Sequence, residues 1–255
     1  MYAAERQHAI VDLISRRGRM SVNDLSQQFS VTTETVRRDL SSLENLRLVR
    51  RVHGGAIAAD AITVIEAGLS DRDLSQPEEK DRIAAAAVEQ LPTGDATVLM
   101  DAGSTTVRLS ELFPLDRRLT VVTHSVTIAL RLAAQPGLEV HMLPGRVRRT
   151  TLAAVGTETV AALEQIRADV AFVGTNGISV RHGLSTPDRT EAAVKSALVA
   201  SAHRVVVLAD SSKIGVERTV RFATLADVDT LVTDDGITQA DRTALEAAGV
   251  EVVVA

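Results

Sequence analysis

Short apolar runs alternate with helix-forming segments from residue 98 onward, and this alternation is the strongest constraint on the fold. The apolar runs predict strands at Val98–Met100, Leu119–Thr123, Glu139–Leu143, Val170–Val173, Val205–Ala209, Thr230–Thr233 and Val250–Val254. Helices are expected between them, for example over Val126–Ala134 and Ala240–Ala248. Repeated strand–helix units favour an α/β fold with a mainly parallel sheet covered by helices. A ligand of such a sheet is expected at the carboxyl ends of its strands.

A polar loop follows the first of these strands and opens a helix. It contains Asp101, Gly103, Ser104, Thr105 and Thr106. Hydroxyls and free backbone N–H groups at a helix start can hold an anion, although an ordinary Ser/Thr helix cap explains the same residues equally well. The loop lacks a Walker-type lysine, so a monophosphate suits it better than a nucleoside triphosphate. We expect no cofactor, no metal and no catalytic residues.

Further polar loops follow the later strands, at the same predicted edge. They carry His124 and Ser125, then Arg146, Arg148 and Arg149, then Gly174, Asn176 and Gly177, and finally Asp210 and Lys213. The arginines either clamp a phosphate or are simply solvated. Glu191 and Lys195 stand four residues apart on a predicted helix, and this spacing by default indicates a surface ion pair. Hydroxyls, Asn, Asp and Lys together suit a phosphorylated polyol.

The N-terminal stretch from Ser21 to Ala56 has a different pattern, of two short helices and a β-hairpin. Ser21 is expected to cap the first helix with Asp24 closing a capping box, and Thr32 to cap the second. Val36, Leu40 and Leu43 share an apolar face of the second helix. The polar face suits a recognition helix in a DNA major groove. The candidate DNA-binding residues of the two helices and their caps are Ser21, Thr32, Thr33, Glu34, Thr35, Arg37, Arg38 and Ser41.

A basic hairpin is predicted directly after this helix. Arg50, Arg51 and His53 lie in it, and the pair Gly54-Gly55 is expected to supply the turn. Such a hairpin can act as a wing that grips the DNA backbone. A small helical subdomain with a solvated charged face is the alternative interpretation. Before this stretch, residues 3–17 predict a first helix that Gly18 ends.

Charge is unevenly distributed along the chain. The net charge is −5, yet residues 1–56 hold nine arginines and six acidic residues, a net +3. A basic N-terminal segment joined to an acidic remainder is expected if only the N-terminal segment contacts DNA phosphates. Cysteine is absent, which fits a reducing cytoplasm, and no apolar run approaches the ~20 residues of a membrane span.

The N-terminal residues resemble the DNA-binding domain of DeoR-type bacterial transcription regulators. The resemblance lies in Glu5-Arg6, Ile10, Leu13, Gly18, Leu25 and Phe29, followed by VTTETVRRDLSSLE and VRRVHGGA. It spans about residues 4–56 and implies a winged helix-turn-helix that binds double-stranded operator DNA.

The stretch from Arg72 to Val254 resembles the effector domain of the same family, through DAGSTT, VVTHS, GTNGIS, GLSTPDRTEAAVK and VVVLADSSKIG. That domain is related to sugar-phosphate isomerases such as ribose-5-phosphate isomerase. The resemblance implies a sugar-phosphate ligand held by Asp101, Gly103, Ser104, Thr105, Thr106, His124, Gly174, Asn176, Gly177, Glu191 and Lys195, with Asp210 and Lys213 nearby. The family usually has Gly-Gly where this chain has Pro144-Gly145, and proline removes an N–H that could contact the ligand.

These observations predict three segments: a winged helix-turn-helix over 1–56, a linker over 57–76 and an effector and oligomerisation domain over 77–255. The expected function is repression of sugar uptake or catabolism genes, relieved by a phosphorylated sugar. The resemblance to regulators of fructose and phosphotransferase-system genes makes fructose 1-phosphate the first candidate. A homodimer or homotetramer would place two DNA-binding domains at the operator half-sites. An isomerase-like enzyme and an activator are the alternatives.

Overall fold

The structure is a computed structural model that describes residues 3–17, 19–45, 48–52, 54–58, 68–114 and 117–255. The chain divides into two compact units, residues 1–66 and 67–255. The first unit contains three helices and three strands: α1 (Ala3–Arg17), β1 (Arg19–Ser21), α2 (Val22–Gln28), α3 (Thr33–Asn45), β2 (Val49–Val52) and β3 (Gly55–Ala58). The Gly18 helix stop that the sequence predicted lies outside the described residues.

The first unit is held by an apolar core and one buried ion pair. Side chains from all three helices form the core, and the inward face predicted for α3 is confirmed: Ile10, Ile14, Leu25, Val36, Leu40 and Leu43. Arg6 of α1 donates from Nε to Asp39 Oδ2 of α3 at 2.6 Å and from Nη2 to Oδ1 at 3.3 Å. This two-pronged contact fixes α1 against α3, because a guanidinium and a carboxylate match in plane.

Strand β1 was not predicted, and it explains one of the two glycines of the hairpin. The three strands form an antiparallel sheet in the order β1-β3-β2. Gly54 has φ +78° and lies in the turn, as expected. Gly55 instead lies in β3 opposite Ser21, where an added Cβ would stand 2.2 Å from the Met20 carbonyl oxygen. Gly55 is therefore needed for the close approach of β1, and Gly54 is the glycine that forms the turn.

The second unit alternates strands and helices as the sequence predicted. Its helices are α4 (Leu69–Asp73), α5 (Pro77–Val88), α6 (Ser104–Glu111), α7 (Val126–Leu132), α8 (Thr157–Glu164), α9 (Arg189–Ala200) and α10 (Gln239–Ala247). Its strands are β4 (Ala96–Met100), β5 (Leu119–Thr123), β6 (Leu138–Met142), β7 (Arg146–Val147), β8 (Ala154–Val155), β9 (Ala168–Gly174), β10 (Gly177–Ser179), β11 (Gly183–Thr186), β12 (Ala202–Leu208), β13 (Val220–Ala223), β14 (Thr230–Thr233) and β15 (Glu251–Val254).

Seven strands form one sheet in the order β15-β14-β12-β9-β4-β5-β6, and every pairing in it is parallel. Its central strands are apolar on both faces, as parallel strands covered by helices require. Phe172 of β9 packs into the core that includes Ile83 of α5 and Leu109 of α6. Val173 packs into the opposite core, with Leu198 of α9. The expected mainly parallel α/β fold is confirmed.

Two small antiparallel pairings were not predicted. Strands β10, β11 and β13 form a three-stranded sheet, and β7 pairs with β8 as a hairpin. Strands β7 and β10 begin in stretches interpreted from sequence as polar loops. Helix α4 also lies inside the stretch 57–76 that the sequence assigned to a linker. It is bound to the second unit, since Leu69 donates its N–H to the Thr150 carbonyl at 2.8 Å and Arg108 pairs with Asp73 at 2.9 Å.

Candidate functional site

The exposed face of α3 carries the arginines that the sequence singled out. Arg37 and Arg38 are exposed, as are Thr32 and Glu34, while Thr33, Thr35 and Ser41 are half-buried. Thr32 caps the helix, because its hydroxyl accepts from the Thr35 N–H at 3.2 Å. Arg37 lies 3.5 Å from Glu34, and both side chains are more than half exposed. An ion pair so exposed is weak, so the Arg37 guanidinium remains available to an anionic partner. The exposed Arg38 guanidinium is available as well.

The wing is attached to this helix through Arg51. Its Nη1 donates to Ser41 Oγ at 2.9 Å, and its backbone N–H donates to Glu44 Oε1 at 2.9 Å. These two bonds fix β2 beside the polar face of α3. Ser21 caps α2, accepting from the Asp24 N–H at 3.0 Å, and its hydroxyl donates to the Asp24 carboxylate at 2.7 Å. The Arg50 side chain and His53 lie outside the described residues.

The second site lies where the strand order of the parallel sheet reverses direction. From β4 the chain adds β5 and β6 on one side, and then returns to add β9 and the later strands on the other. Such a reversal leaves a crevice at the carboxyl ends of the two central strands, the usual ligand site of an open α/β sheet. Asp101 follows β4 and Gly174 ends β9, and the Gly174 N–H donates to Asp101 Oδ2 at 2.9 Å across this crevice.

Asp101 is the hub of this second site and is 1% exposed. Its Oδ2 also accepts from Lys195 Nζ of α9 at 2.5 Å, and its Oδ1 lies 3.0 Å from His124 Nε2. Lys195 donates further to the Gly174 carbonyl at 2.9 Å and lies 5.5 Å from the centre of the Phe222 ring. One carboxylate therefore joins residues from β4, β9, α9 and the end of β5.

Electrostatics keep that carboxylate ionised. Burial alone would raise the pKa of Asp101, but the Lys195 ammonium and the hydrogen bond to His124 hold it well below its usual range. His124 is oriented by a second contact, because its Nδ1 lies 2.9 Å from the Ala154 carbonyl and must donate to it. A proton on Nε2 would donate to Asp101 Oδ1; without that proton, Nε2 accepts from the Ala102 N–H, 3.1 Å away.

Glu191 and Lys195 do not form the surface pair that their spacing indicates. Both are buried, at 4% and 5% exposure. Lys195 turns to Asp101, whereas Glu191 accepts from Arg148 Nη1 and, at 2.6 Å, from Thr151 Oγ1. The default interpretation is therefore wrong, because tertiary partners outcompete the helical neighbour.

Arg148, rather than Arg146, is the arginine that the structure brings to this cluster. Its guanidinium also lies 3.1 Å from Asp188, the N-cap of α9. Arg146 is exposed on β7. Along a continuous strand these two arginines would face the same way. Strand β7 ends at Val147, so Arg148 lies beyond it and reaches Asp188 and Glu191.

The four hydroxyl side chains predicted as ligands differ in their surroundings. Thr106 Oγ1 donates to the Asp101 carbonyl at 2.7 Å and accepts from the Gly103 N–H at 2.8 Å, so it fixes the loop from within. Ser125 is fully buried and caps α7, accepting from the Ile128 N–H at 3.3 Å. Ser104 and Thr105 form the first turn of α6, beside Asp101.

The glycines and Asn176 at the far side of the crevice support its wall. Thr186 Oγ1 donates to Asn176 Oδ1 at 3.0 Å. A Cβ on Gly177 would stand 2.5 Å from the Val216 carbonyl oxygen, and one on Gly174 3.3 Å from Asp101 Oδ2. Gly103 faces Gly174 in the same way. The Pro144 carbonyl accepts from Thr159 Oγ1 at 2.6 Å, so this departure from Gly-Gly fits within the fold.

A buried lysine that the sequence analysis missed lies beside Asp210 and Lys213. Lys80 of α5 is 3% exposed, and its ammonium donates to the carbonyls of Arg72 and Ser75. Burial lowers the pKa of Lys80 to about 8, against the opposing effect of the Asp210 carboxylate. Lys213 lies 3.5 Å from Asp210. Lys80 belongs to the charged run PEEKDR, which by composition resembles a solvated helix start.

Comparison with known proteins assigns both units. A model of the DeoR C terminal sensor domain matches residues 75–235, and one of the DeoR-like helix-turn-helix domain matches residues 6–61. The chain belongs to the DeoR family. As a member of that family it is a DNA-binding transcriptional regulator rather than an enzyme. Among the described residues, no helix combines the length and apolar character needed to cross a bilayer.

Relatives align over nearly the whole chain. The HTH-type transcriptional regulator GlpR of Haloferax volcanii is 37% identical over 253 residues, 99% of this chain and 98% of that protein. The glycerol-3-phosphate regulon repressor of Escherichia coli K12 is 30% identical over 234 residues, 92% of each chain. Among solved structures, ribose 5 phosphate isomerase A from Neisseria gonorrhoeae gives a TM-score of 0.39 at 19% identity over 56% of each chain. A likeness at that level carries nothing about ligand or reaction.

Proposed function

We propose that this regulator represses genes of sugar uptake or catabolism and leaves its operator when a phosphorylated sugar binds beside Asp101. The observation that carries the proposal is the buried cluster at the strand-order reversal. It places carboxylate, imidazole and ammonium groups next to the hydroxyls that begin α6, with Lys80 and Lys213 supplying positive charge. A chain with such a cluster and an arginine-bearing α3 can sense a small anion and bind DNA.

On the DNA side, α3 is proposed to enter the major groove. Arg37 and Arg38 would contact base edges or phosphates, since arginine forms bidentate bonds with guanine and with phosphate. Residues 1–56 carry a net charge of only +3, so a single DNA-binding domain has little electrostatic affinity for DNA. A homodimer or homotetramer would supply two such domains for a two-fold operator.

On the effector side, the proposed ligand is a sugar monophosphate, with fructose 1-phosphate to be tested first. Its phosphate would lie at the start of α6, near Ser104 and Thr105, where the helix dipole favours an anion. Its hydroxyls would reach the polar groups of Asn176 and Glu191. The domain division that goes with this proposal is 1–56 for DNA, 57–76 as the connection and 77–255 for sensing and oligomerisation.

A thermal-shift screen tests the sensor directly. A ligand at one hundred times its Kd stabilises the native state by about 2.7 kcal/mol. We expect one sugar phosphate to raise the melting temperature, and its unphosphorylated parent sugar to leave it unchanged. The D101N variant should lose the shift. D169N, at the amino end of the central strand β9, should keep it, because among the described residues the exposed Asp169 accepts only from the Thr97 N–H.

Two outcomes would overturn the sensor proposal. One is the absence of a shift with every sugar phosphate in the panel; the other is an equal shift in wild type and D101N. The direction of regulation is tested separately by a reporter fused to the operator region. Deletion of the regulator should raise expression, and a fall in expression would make the protein an activator.

A further inference from the structure

The parallel sheet ends at β6, and the outer edge of that strand is open. Among the described residues, no strand pairs with it. The Leu143 N–H donates to the Thr123 carbonyl of β5 at 2.9 Å, so Leu143 directs its backbone toward β5. Backbone groups alternate along a strand. Leu138, Val140 and Met142 therefore point their N–H and C=O groups outward, where they can bond to another strand.

The sequence of this edge is self-complementary about Val140. It reads Leu-Glu-Val-His-Met from Leu138 to Met142. If two copies pair antiparallel around a two-fold axis at Val140, Leu138 lies opposite Met142 of the second copy, and Glu139 lies opposite His141 of the second copy. Apolar residues thus meet apolar residues, and an acidic side chain meets a basic one. Such cross-strand pairs are the stabilising unit of a sheet.

The side-chain geometry suits this register. Outward-pointing Val140 would form a hydrogen-bonded pair with its copy, so Glu139 and His141 would fall in the close, non-hydrogen-bonded positions. Their side chains are 71% and 54% exposed and already lie 2.9 Å apart within one chain. Two copies would join these into a cluster of four side chains in which acidic and basic groups alternate.

An exposed apolar patch flanks the same edge. We call it the edge patch: Val126 and Leu130 of α7 with Met142 of β6, which are 37%, 78% and 41% exposed. Leu152 is 42% exposed and its carbonyl accepts from the Val126 N–H at 3.0 Å, which places the β7–β8 hairpin alongside. Apolar groups collected beside an open strand are typical of an interface. The other edge strand, β15, has the sequence Glu-Val-Val-Val. If two copies of β15 paired antiparallel, the one acidic residue would have no basic residue opposite it.

We propose that β6 and the edge patch bind a second copy of this chain, with β6 pairing antiparallel to itself about Val140. The two parallel sheets then continue as one. The proposal goes beyond the sensor function and is independent of which ligand the Asp101 site binds. It also uses an interface that is isologous, as a two-fold dimer requires.

The absence of cysteine from the chain allows a direct cross-linking test. The double variant E139C with H141C should give an interchain disulfide dimer under mild oxidation, seen on a non-reducing gel. Two residues apart on one strand, these cysteines are too distant to bond to each other. E251C with V253C on β15 is the matched control and should stay monomeric. Cross-linking of the control alone, or of neither variant, would overturn the proposal.

A second measurement keeps the test valid if the cysteines disturb the pairing. L130K places a charge at a site 78% exposed, and L74K makes the same change at a site 81% exposed outside the edge patch. By sedimentation velocity of the full chain, L130K should weaken self-association by tenfold or more, and L74K should leave it unchanged. Equal association of L130K and wild type would contradict the proposal, as would a wild-type chain that stays monomeric at tens of micromolar.

Discussion

The two units place their charged groups in opposite ways. In the first unit, the arginines of α3 stand in solvent, with Arg37 55% exposed. In the second unit, Asp101 and Lys195 are paired at 1% and 7% side-chain exposure. Exposed charges suit a large anionic partner that approaches from outside. Buried and paired charges suit a small ligand that enters a crevice, and they make the surrounding fold depend on the pair.

The largest expected effect comes from breaking that buried pair. D101N removes the negative charge and leaves the Lys195 ammonium buried without a counterion. Loss of one member of a buried pair costs about 3–5 kcal/mol. Urea denaturation at pH 7 should show a loss of that size in the second unit, against little change in D169N. A D101N protein as stable as wild type would mean that the pair does not hold the site together.

The pH dependence of stability tests the same pair, with the same D101N variant. The folded-state pKa of Asp101 lies below its unfolded value, so its contribution to stability is complete above about pH 4. That contribution is lost as the pH falls toward the folded-state pKa. The stability difference between wild type and D101N should therefore shrink between pH 4 and 2. A constant difference over that range would contradict the depressed pKa.

A smaller effect is expected on the DNA side. R38A should weaken operator binding about tenfold. If Arg38 contacts a phosphate, the slope of log affinity against log salt concentration should also become shallower by about one. The control is R82A, which removes an exposed arginine from the second unit. Fluorescence anisotropy at several salt concentrations measures both. Wild-type affinity and slope in R38A would remove Arg38 from the interface, and sugar-phosphate binding should be unchanged in either variant.

The smallest effect is expected at the cap of the recognition helix. T32A removes the hydroxyl that accepts from the Thr35 N–H, which costs about 1 kcal/mol in the first unit. T32S keeps an oxygen at that position and should retain most of the stability. Circular dichroism of thermal unfolding compares the three proteins. Equal stability of T32A and T32S would show that the cap contributes nothing.

The sequence predicted those parts of the fold that local pattern determines. Strands β5 and β14 were predicted with their observed bounds, because buried parallel strands are continuous apolar runs. The start of α5 at Pro77 was predicted because proline is tolerated in a first helical turn. Strands β10 and β11 were not predicted, since they are three and four residues long and exist through their mutual pairing.

The candidate site was predicted as a set of residues but not as a set of contacts. Asp101 and Lys195 are 94 residues apart in the chain, and local spacing matched Lys195 with Glu191 instead. Lys80 was missed because its acidic neighbours in PEEKDR indicate solvent, whereas the side chain is buried and its ammonium donates to the Arg72 and Ser75 carbonyls. Tertiary packing decides both cases, and a pattern within one helix contains no information about it.

The most direct test of the central claim is a titration of an operator duplex with the full chain, with and without sugar phosphates. The duplex comes from the region upstream of the gene. We expect one sugar phosphate to lower DNA affinity by about 5–150-fold, the usual range of allosteric coupling, and its parent sugar to leave the affinity unchanged. Unchanged operator affinity at saturating concentrations of a sugar phosphate that raises the melting temperature would contradict it.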